Sequence, residues 1–366
     1  MAYTTIDDPS AYFHVNLHSG NGTNNTDITF DANAGDFQPD FIWFKGRTSS
    51  AIDHALFDSS RGTTKILNSN NNNDENAQGA TLKAFNSNGF RVGDDAGDYG
   101  VNANGRTYVT WNWKANGGTT TTNDASSTGV GTIDSVYQAN TTAGFSIVTH
   151  TGSGSAGNIA HGLGVAPEWV ITKNRTDDNQ SWANYHVGVG NEYYLELDTT
   201  DTKETASSVW GDTTPSTTTF RVGGANGKNN ASSKNYVSYC FTPIQGYSKF
   251  GSYIANNSTD GPFIYLGFKP AWIMVKNTSA AADWPITDNK REAGNPFGEE
   301  MLFANGNDVE TNYTGGGIDF LSNGFKIRSS GTNGVHNANN TSHVFVYMAF
   351  AEHPFVSSKG VPVTAR

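Results

Sequence analysis

Two short stretches place an acid and a base where they could do chemistry. "FDSSRG" holds Asp58 and Arg61, and "TDNKR" holds Asp288 and Arg291. A carboxylate three residues from a guanidinium can grip a sugar or assist a proton transfer. Both pairs, however, fall at the same place in an internal repeat, whose second copy reads "NYHVG" and lacks the pair. A scaffold that duplicates itself does not thereby duplicate an active site, so the pairs read as structural ion pairs or turn clamps.

Other candidates are weaker. Glycoside hydrolysis needs two carboxylates about 5 to 10 Å apart. The acids on offer, Asp94, Asp95 and Asp98 in "GDDAGDYG" and Glu299 and Glu300 in "GEE", sit in polar loops. "GDDAGDYGVNANG" and "NGNDVE" supply oxygen donors but not the spaced acids and closing Glu of a calcium loop. The nine histidines include no HExxH and no two close histidines joined by a carboxylate, and His161 in "AHGLG" reads as turn packing. Cys240 aligns with Asn112 and Ala349 in the other copies, a position without catalytic demand. Glycine runs such as "GSGSAG" lack the Lys-Ser/Thr ending of a phosphate loop. No catalytic, cofactor-binding or metal-ligating residue is nominated, and no enzyme activity is expected. Abundant Asn, Thr and Ser with Trp and Tyr suit carbohydrate recognition, but no spacing singles out ligand-binding residues.

The elements that position these residues form a repeat. "PDFIWFKGR" at Pro39 returns as "PEWVITKNR" at Pro167 and "PAWIMVKNT" at Pro270. Each has an aromatic two residues after the proline (Phe41, Trp169, Trp272) and a lysine four later (Lys45, Lys173, Lys276). About 50 residues beyond each proline come "NGFRVG", "TTFRVGG" and "NGFKIRS", two of them opening on the Asn-Gly of a tight hairpin. Farther on come "TYVTWNW", "NYVSYCF" and "HVFVYMAF"; between lie "KILNSN", "YYLELD" and "EMLFAN". Matched elements in one order at one spacing mark a triplication.

Charged residues are only 16% of the 366, while aromatics reach 12%, a balance that favours strands over surface helices. "TYVTWNW" alternates like a strand with one buried face; "DFIWFK" and "AWIMVK" do not, as expected of strands covered on both faces. The predicted fold is all-β: three related antiparallel β-sandwich or jelly-roll-like units at 11–115, 143–244 and 246–355. A segment 1–10 precedes them, a polar Gly/Thr-rich linker with one short strand spans 116–142, and a tail spans 356–366. Units 2 and 3, with almost no spacer, are expected to pack together. Trp43, which has no aromatic equivalent in the other copies, is expected to fill the core of its own unit. A net charge of −11 argues against nucleic acid. The absence of a long apolar run argues against membrane insertion, and one cysteine fits assembly in a reducing cytoplasm.

With "GFSIVTHTGSG", "HGLGVAPEWVITKNR", "GYSKFGSYIANNSTDGPFIYLGFKPAWIMVKN" and "FVYMAFAEHPF", the chain resembles virion proteins of marine tailed bacteriophages, described as structural or tail-fibre proteins with a domain of unknown function. The resemblance spans nearly the whole chain and brings no catalytic residues. It implies a non-enzymatic component of the virion surface, a head decoration or compact fibre module, made in the host cytoplasm. Its partners would be other capsid or tail proteins and further copies of itself. A receptor-binding adhesin reading host surface glycans is the alternative. A polysaccharide depolymerase tailspike is a third reading, without the long β-helix repeat it would need.

Overall fold

The computed structural model describes residues 2–31, 35–48, 52–94, 99–205, 207–292, 294–298, 300–312, 317–330, 336–338 and 340–363. Unit 1 comprises β1 (Phe13–Ser19), β2 (Thr26–Thr29), β3 (Phe41–Gly46), β4 (Ala55–Asp58), β5 (Lys65–Ile66), β6 (Asn76–Ala77), β7 (Leu82–Asn86), β8 (Gly89–Val92) and β9 (Thr107–Trp113). The linker forms β10 (Thr121–Asn123), the one-turn α1 (Ala125–Thr128) and β11 (Ser135–Asn140). Unit 2 follows with β12 (Phe145–Thr151), β13 (Gly157–Ala160), β14 (Trp169–Asn174), β15 (Ala183–His186), β16 (Tyr193–Glu196), β17 (Glu204–Thr205), α2 (Ser207–Trp210), β18 (Thr219–Val222) and β19 (Asn235–Phe241). Unit 3 contains β20 (Ser248–Ile254), β21 (Phe263–Tyr265), β22 (Phe268–Asn277), β23 (Pro285–Asp288), β24 (Glu300–Phe303), β25 (Thr311–Asn312), β26 (Ile318–Leu321), β27 (Gly324–Ile327) and β28 (Val344–Pro354).

Each unit is a large antiparallel sheet backed by a small one. The large sheets share one order: β1-β9-β3-β4, β12-β19-β14-β15-β16-β17 and β20-β28-β22-β23-β24-β25. The small sheets are β2-β8-β7, β13-β18 and β21-β27-β26. The signature strands β3, β14 and β22 therefore lie inside their sheets, and Phe41 through Lys45 are all buried.

Strand alternation divides these side chains between two cores. Ile42 and Phe44 turn toward the small sheet of unit 1, into a cluster with Ile28, Phe57 and Phe90. Phe41 and Trp43 turn the other way, into one cluster shared by all three units that includes Trp111, Trp113, Trp169, Tyr239, Trp272 and Phe350. There Phe41 stacks on Tyr239 of unit 2 at 4.2 Å between ring centres, and Trp113 meets Trp272 of unit 3 edge to face at 5.7 Å. The expectation that Trp43 fills only its own unit's core is thus corrected. Its side of the strand faces a second core that exists because three sheets converge.

The linker also differs from expectation. It contributes two strands, β10 and β11, which extend the large sheet of unit 2 beyond β12. Ser135, Gln138 and Asn123 are buried in it. Its polar composition concealed this, since a strand built on Ser, Gln and Asn carries little apolar signal.

Candidate functional site

The three signature lysines end their strands with no exposed surface. Each ammonium bridges a loop of its own unit and a loop of a neighbour. Lys45 Nζ donates to Ile52 O at 2.7 Å and to Asn307 O of unit 3 at 3.1 Å. Lys173 Nζ donates to Gln180 O at 2.5 Å and to Asn72 O of unit 1 at 3.0 Å. Lys276 Nζ donates to Ala282 O at 2.5 Å and to Thr200 O of unit 2 at 2.9 Å. Burial pushes all three down to about 8, against the pull of nearby aspartates such as Asp53, Asp198 and Asp283.

A ring nitrogen repeats the grip. His54 Nε2 lies 3.0 Å from Phe303 O, Trp182 Nε1 donates to Asn68 O at 2.8 Å, and Trp284 Nε1 donates to Glu196 O at 3.0 Å. Trp43 Nε1 donates to His54 Nδ1 at 2.7 Å, so Nε2 carries the imidazole proton. Unit 1 thus pairs a large Trp43 with a small His54, whereas unit 2 pairs Ile171 with Trp182 at the same two positions. Every grip runs in the same sense: unit 1 holds unit 3, unit 3 holds unit 2, and unit 2 holds unit 1. The ring closes on itself.

The acid–base pairs nominated by the sequence belong to two of these three seams. Between units 1 and 2, Arg61 pairs with Asp58 and reaches Glu75 at 3.1 Å. Arg175 of unit 2 grips the same Glu75 through two contacts of 2.7 and 2.9 Å, and Tyr239 Oη donates to Asp58 at 2.8 Å. Between units 3 and 1, Arg291 pairs with Asp288 at 2.6 Å and Glu310 at 2.7 Å. Arg47 of unit 1 donates to Glu310 at 2.8 Å, and Trp111 Nε1 donates to Asp288 at 3.0 Å. Neither Asp58 nor Arg61 has any exposed side-chain surface.

Strand register shows what the third seam holds. His186 stands opposite Trp169 as Asp58 stands opposite Phe41, and Met348 stands opposite Met274 as Trp111 stands opposite Trp43. Counting onward, Val189, Lys203 and Thr278 replace the two arginines and the glutamate. All five members of the network are gone together. His186 instead turns its Nε2 to Tyr347 O at 3.3 Å. The reason is energetic: a buried carboxylate or guanidinium left without its partner costs several kcal/mol, so the set is viable whole or absent.

At the end of the units where the long loops gather, a second threefold feature appears that the sequence reading missed. Asn102, Asn230 and Asn337, each followed by Ala, are buried. Each accepts a loop N–H through Oδ1, from Asn21, Ser153 and Asn256 respectively, and donates from Nδ2 to nearby carbonyls. The carbonyl just before each asparagine is bound by His18, His150 or Tyr253. Those rings stack on Tyr108, Tyr236 and Phe345 at 5.0, 5.0 and 5.2 Å. The recurrent Asn-Ala dipeptide was the available signal.

The remaining candidates disperse. Cys240 lies in the core of unit 2, where burial pushes its thiol up. His161 bridges Ser216 O and Leu163 N across a turn. Asp94 is exposed, Glu300 lies 3.4 Å from Arg47, and Asp95, Asp98 and Glu299 lie outside the described residues. Glu196, Asp201 and Glu204 bring carboxylate oxygens within 4.8 Å of one another, but Glu196 is paired with Lys228 and Glu204 accepts from Tyr194. What the arrangement of buried charge does is fasten three units together.

The fold and these seams define an all-β protein of three two-sheet units closed in a ring around one aromatic centre. The chain belongs to the family described as a domain of unknown function (DUF7483), which matches residues 8–354. No curated protein matches it.

Two outcomes follow from the seams. Arg61→Met leaves buried Asp58 without its cation and Glu75 with one arginine fewer, and is expected to cost about 3 to 5 kcal/mol in urea unfolding, whereas Lys65→Met, which removes a half-exposed charge near the same Glu75, is expected to cost less than about 1 kcal/mol. Equal losses would show that the buried network is not special.

Buried imidazoles set the acid response. Burial pushes His150 and His161 down to about 4, His186 to about 3, and His54 well below its ordinary value. The unfolded chain takes up these protons near pH 6.5 and the folded chain only well below that, near 4 for His150 and His161, so their contribution is complete above 6.5 and lost as pH falls toward 4. The urea midpoint is expected to drop across that window. Trp43→Ile combined with His54→Trp, the pairing unit 2 carries, should flatten the drop in part; an unchanged slope would remove His54 from the account.

Proposed function

We propose that this chain is a non-enzymatic structural component of a tailed-phage virion surface, a head decoration or compact fibre module. The observation that supports this reading is the closed ring of seams. The acid–base groups best suited to chemistry are sealed between units, where they hold a rigid body together. The sequence resemblance to marine phage virion proteins supplies the setting. The experiment is cryo-EM of the intact phage with this chain's density assigned. Density on the capsid lattice or on the tail is the expected result; absence from purified particles overturns the reading.

A second reading, an adhesin for host surface glycans, draws on one feature. An open groove of about 570 Å³ runs along unit 2, lined by Thr122, Thr132, Asp134, Thr149, Thr151 and Asn235. Hydroxyl, amide and carboxylate groups of this kind hydrogen-bond sugars. A glycan array decides it: retained glycans lost on Thr149→Val support the adhesin, and an array without hits removes it.

A further inference from the structure

Each two-sheet unit has a side where the outer strands of its large and small sheets lie next to each other. In unit 2 these are β12 and β13, and the linker closes the gap. β11 pairs antiparallel with β12 through six residue pairs, from Ser135 opposite His150 to Asn140 opposite Phe145. Just before it, Ile133 bridges Ile159 in β13 and packs into that unit's core. Gln138 also crosses the seam to unit 1, donating to Ser59 at 2.9 Å and Ser60 at 3.0 Å. In unit 1 the chain after β2 covers the corresponding side: Phe30 and Phe37 are buried, Phe30 lies 4.7 Å from the ring of His14, and Gly35 N donates to Ser10 at 3.0 Å.

Among the described residues, unit 3 has neither device. β21 and β22 are separated only by Leu266 and Gly267, so unit 3 has no segment of its own to fold across the side, and the N-terminal segment reaches only its end, where Tyr3 Oη donates to Gly267 O at 2.8 Å and lies 3.3 Å from the Tyr265 hydroxyl. β20 and β21 are terminal strands of their sheets, and no described strand lies beside either one on its outer edge, where Ile244 of the preceding turn bridges Ser248 alone. Ile254 is 59% exposed, Phe263 46% and Tyr265 48%. Across the seam Val187, 43% exposed, occupies the position that Ser59 holds in unit 1. An open strand edge flanked by apolar side chains is a template for pairing with another chain.

We propose that the β20–β21 side of unit 3 is a docking edge for an extended strand of a partner polypeptide. The strand adds antiparallel to β20 as β11 adds to β12, with an apolar side chain over Val187 where the linker carries Gln138. The partner is neutral or basic, because two copies of a chain carrying −11 repel each other on approach. This goes beyond a structural role in the virion and stands or falls on the isolated chain.

The probe is a labelled peptide of residues 132–140 carrying Asp134→Lys and Gln138→Val, titrated onto the whole chain by fluorescence anisotropy. Amide hydrogen exchange is followed in parallel. Saturable binding with slowed exchange in β20 is expected, weakened at least about tenfold by Ile254→Lys with Val187→Lys on the exposed surface. The peptide that retains Gln138 should bind more weakly than its valine counterpart. No saturation up to about 1 mM overturns the proposal. So does protection confined to other strands, or a concentration-dependent dimer of the chain that itself covers β20.

Discussion

The structure depends on one constraint: three strands, β3, β14 and β22, are buried on both faces at once. A strand inside a single two-sheet sandwich has one core face and one outer face. Here the outer faces turn inward to a common centre filled by Trp, Tyr, Phe and Met, which removes from water the aromatic surface that each unit would expose alone. The lysine at the end of each strand then has no route to solvent except through a neighbour. It spends its donors on carbonyls from two units, and so fixes the rotation of one against the next.

Variation among the three copies follows from that closure. Where one residue of a seam departs, its partners depart with it, as His186, Val189, Lys203, Thr278 and Met348 do between units 2 and 3. At the other two seams the carboxylates keep the Tyr239 hydroxyl and the Trp111 indole as donors from across the boundary. The units are therefore parts of one interior, each complete only with its neighbours.

Much of this was legible in the residues. The repeat, the all-β class and the burial of "PDFIWFKGR" rest on periodicity and spacing, which are local properties. The pairing of Asp58 with Arg61 as a clamp followed from its place in the repeat. What could not be read was which alternate residues face the shared centre. Trp43 and Phe44 look alike in sequence, and only convergence of the three sheets tells them apart. The linker's strands were hidden by Ser, Gln and Asn, whose hydrogen bonds, such as those of Gln138 to Ser59 and of Asn140 to Ala115 of unit 1, replace the apolar pattern of a strand. The Asn-Ala dipeptides were visible but small, and their meaning lies in loops far apart along the chain.

That the three units form one cooperative body is tested most directly by calorimetric unfolding of the whole chain. A closed ring predicts a single transition whose calorimetric and van't Hoff enthalpies agree, with a ratio of about 1. Separable transitions for individual units, or a ratio near 3, would contradict the account.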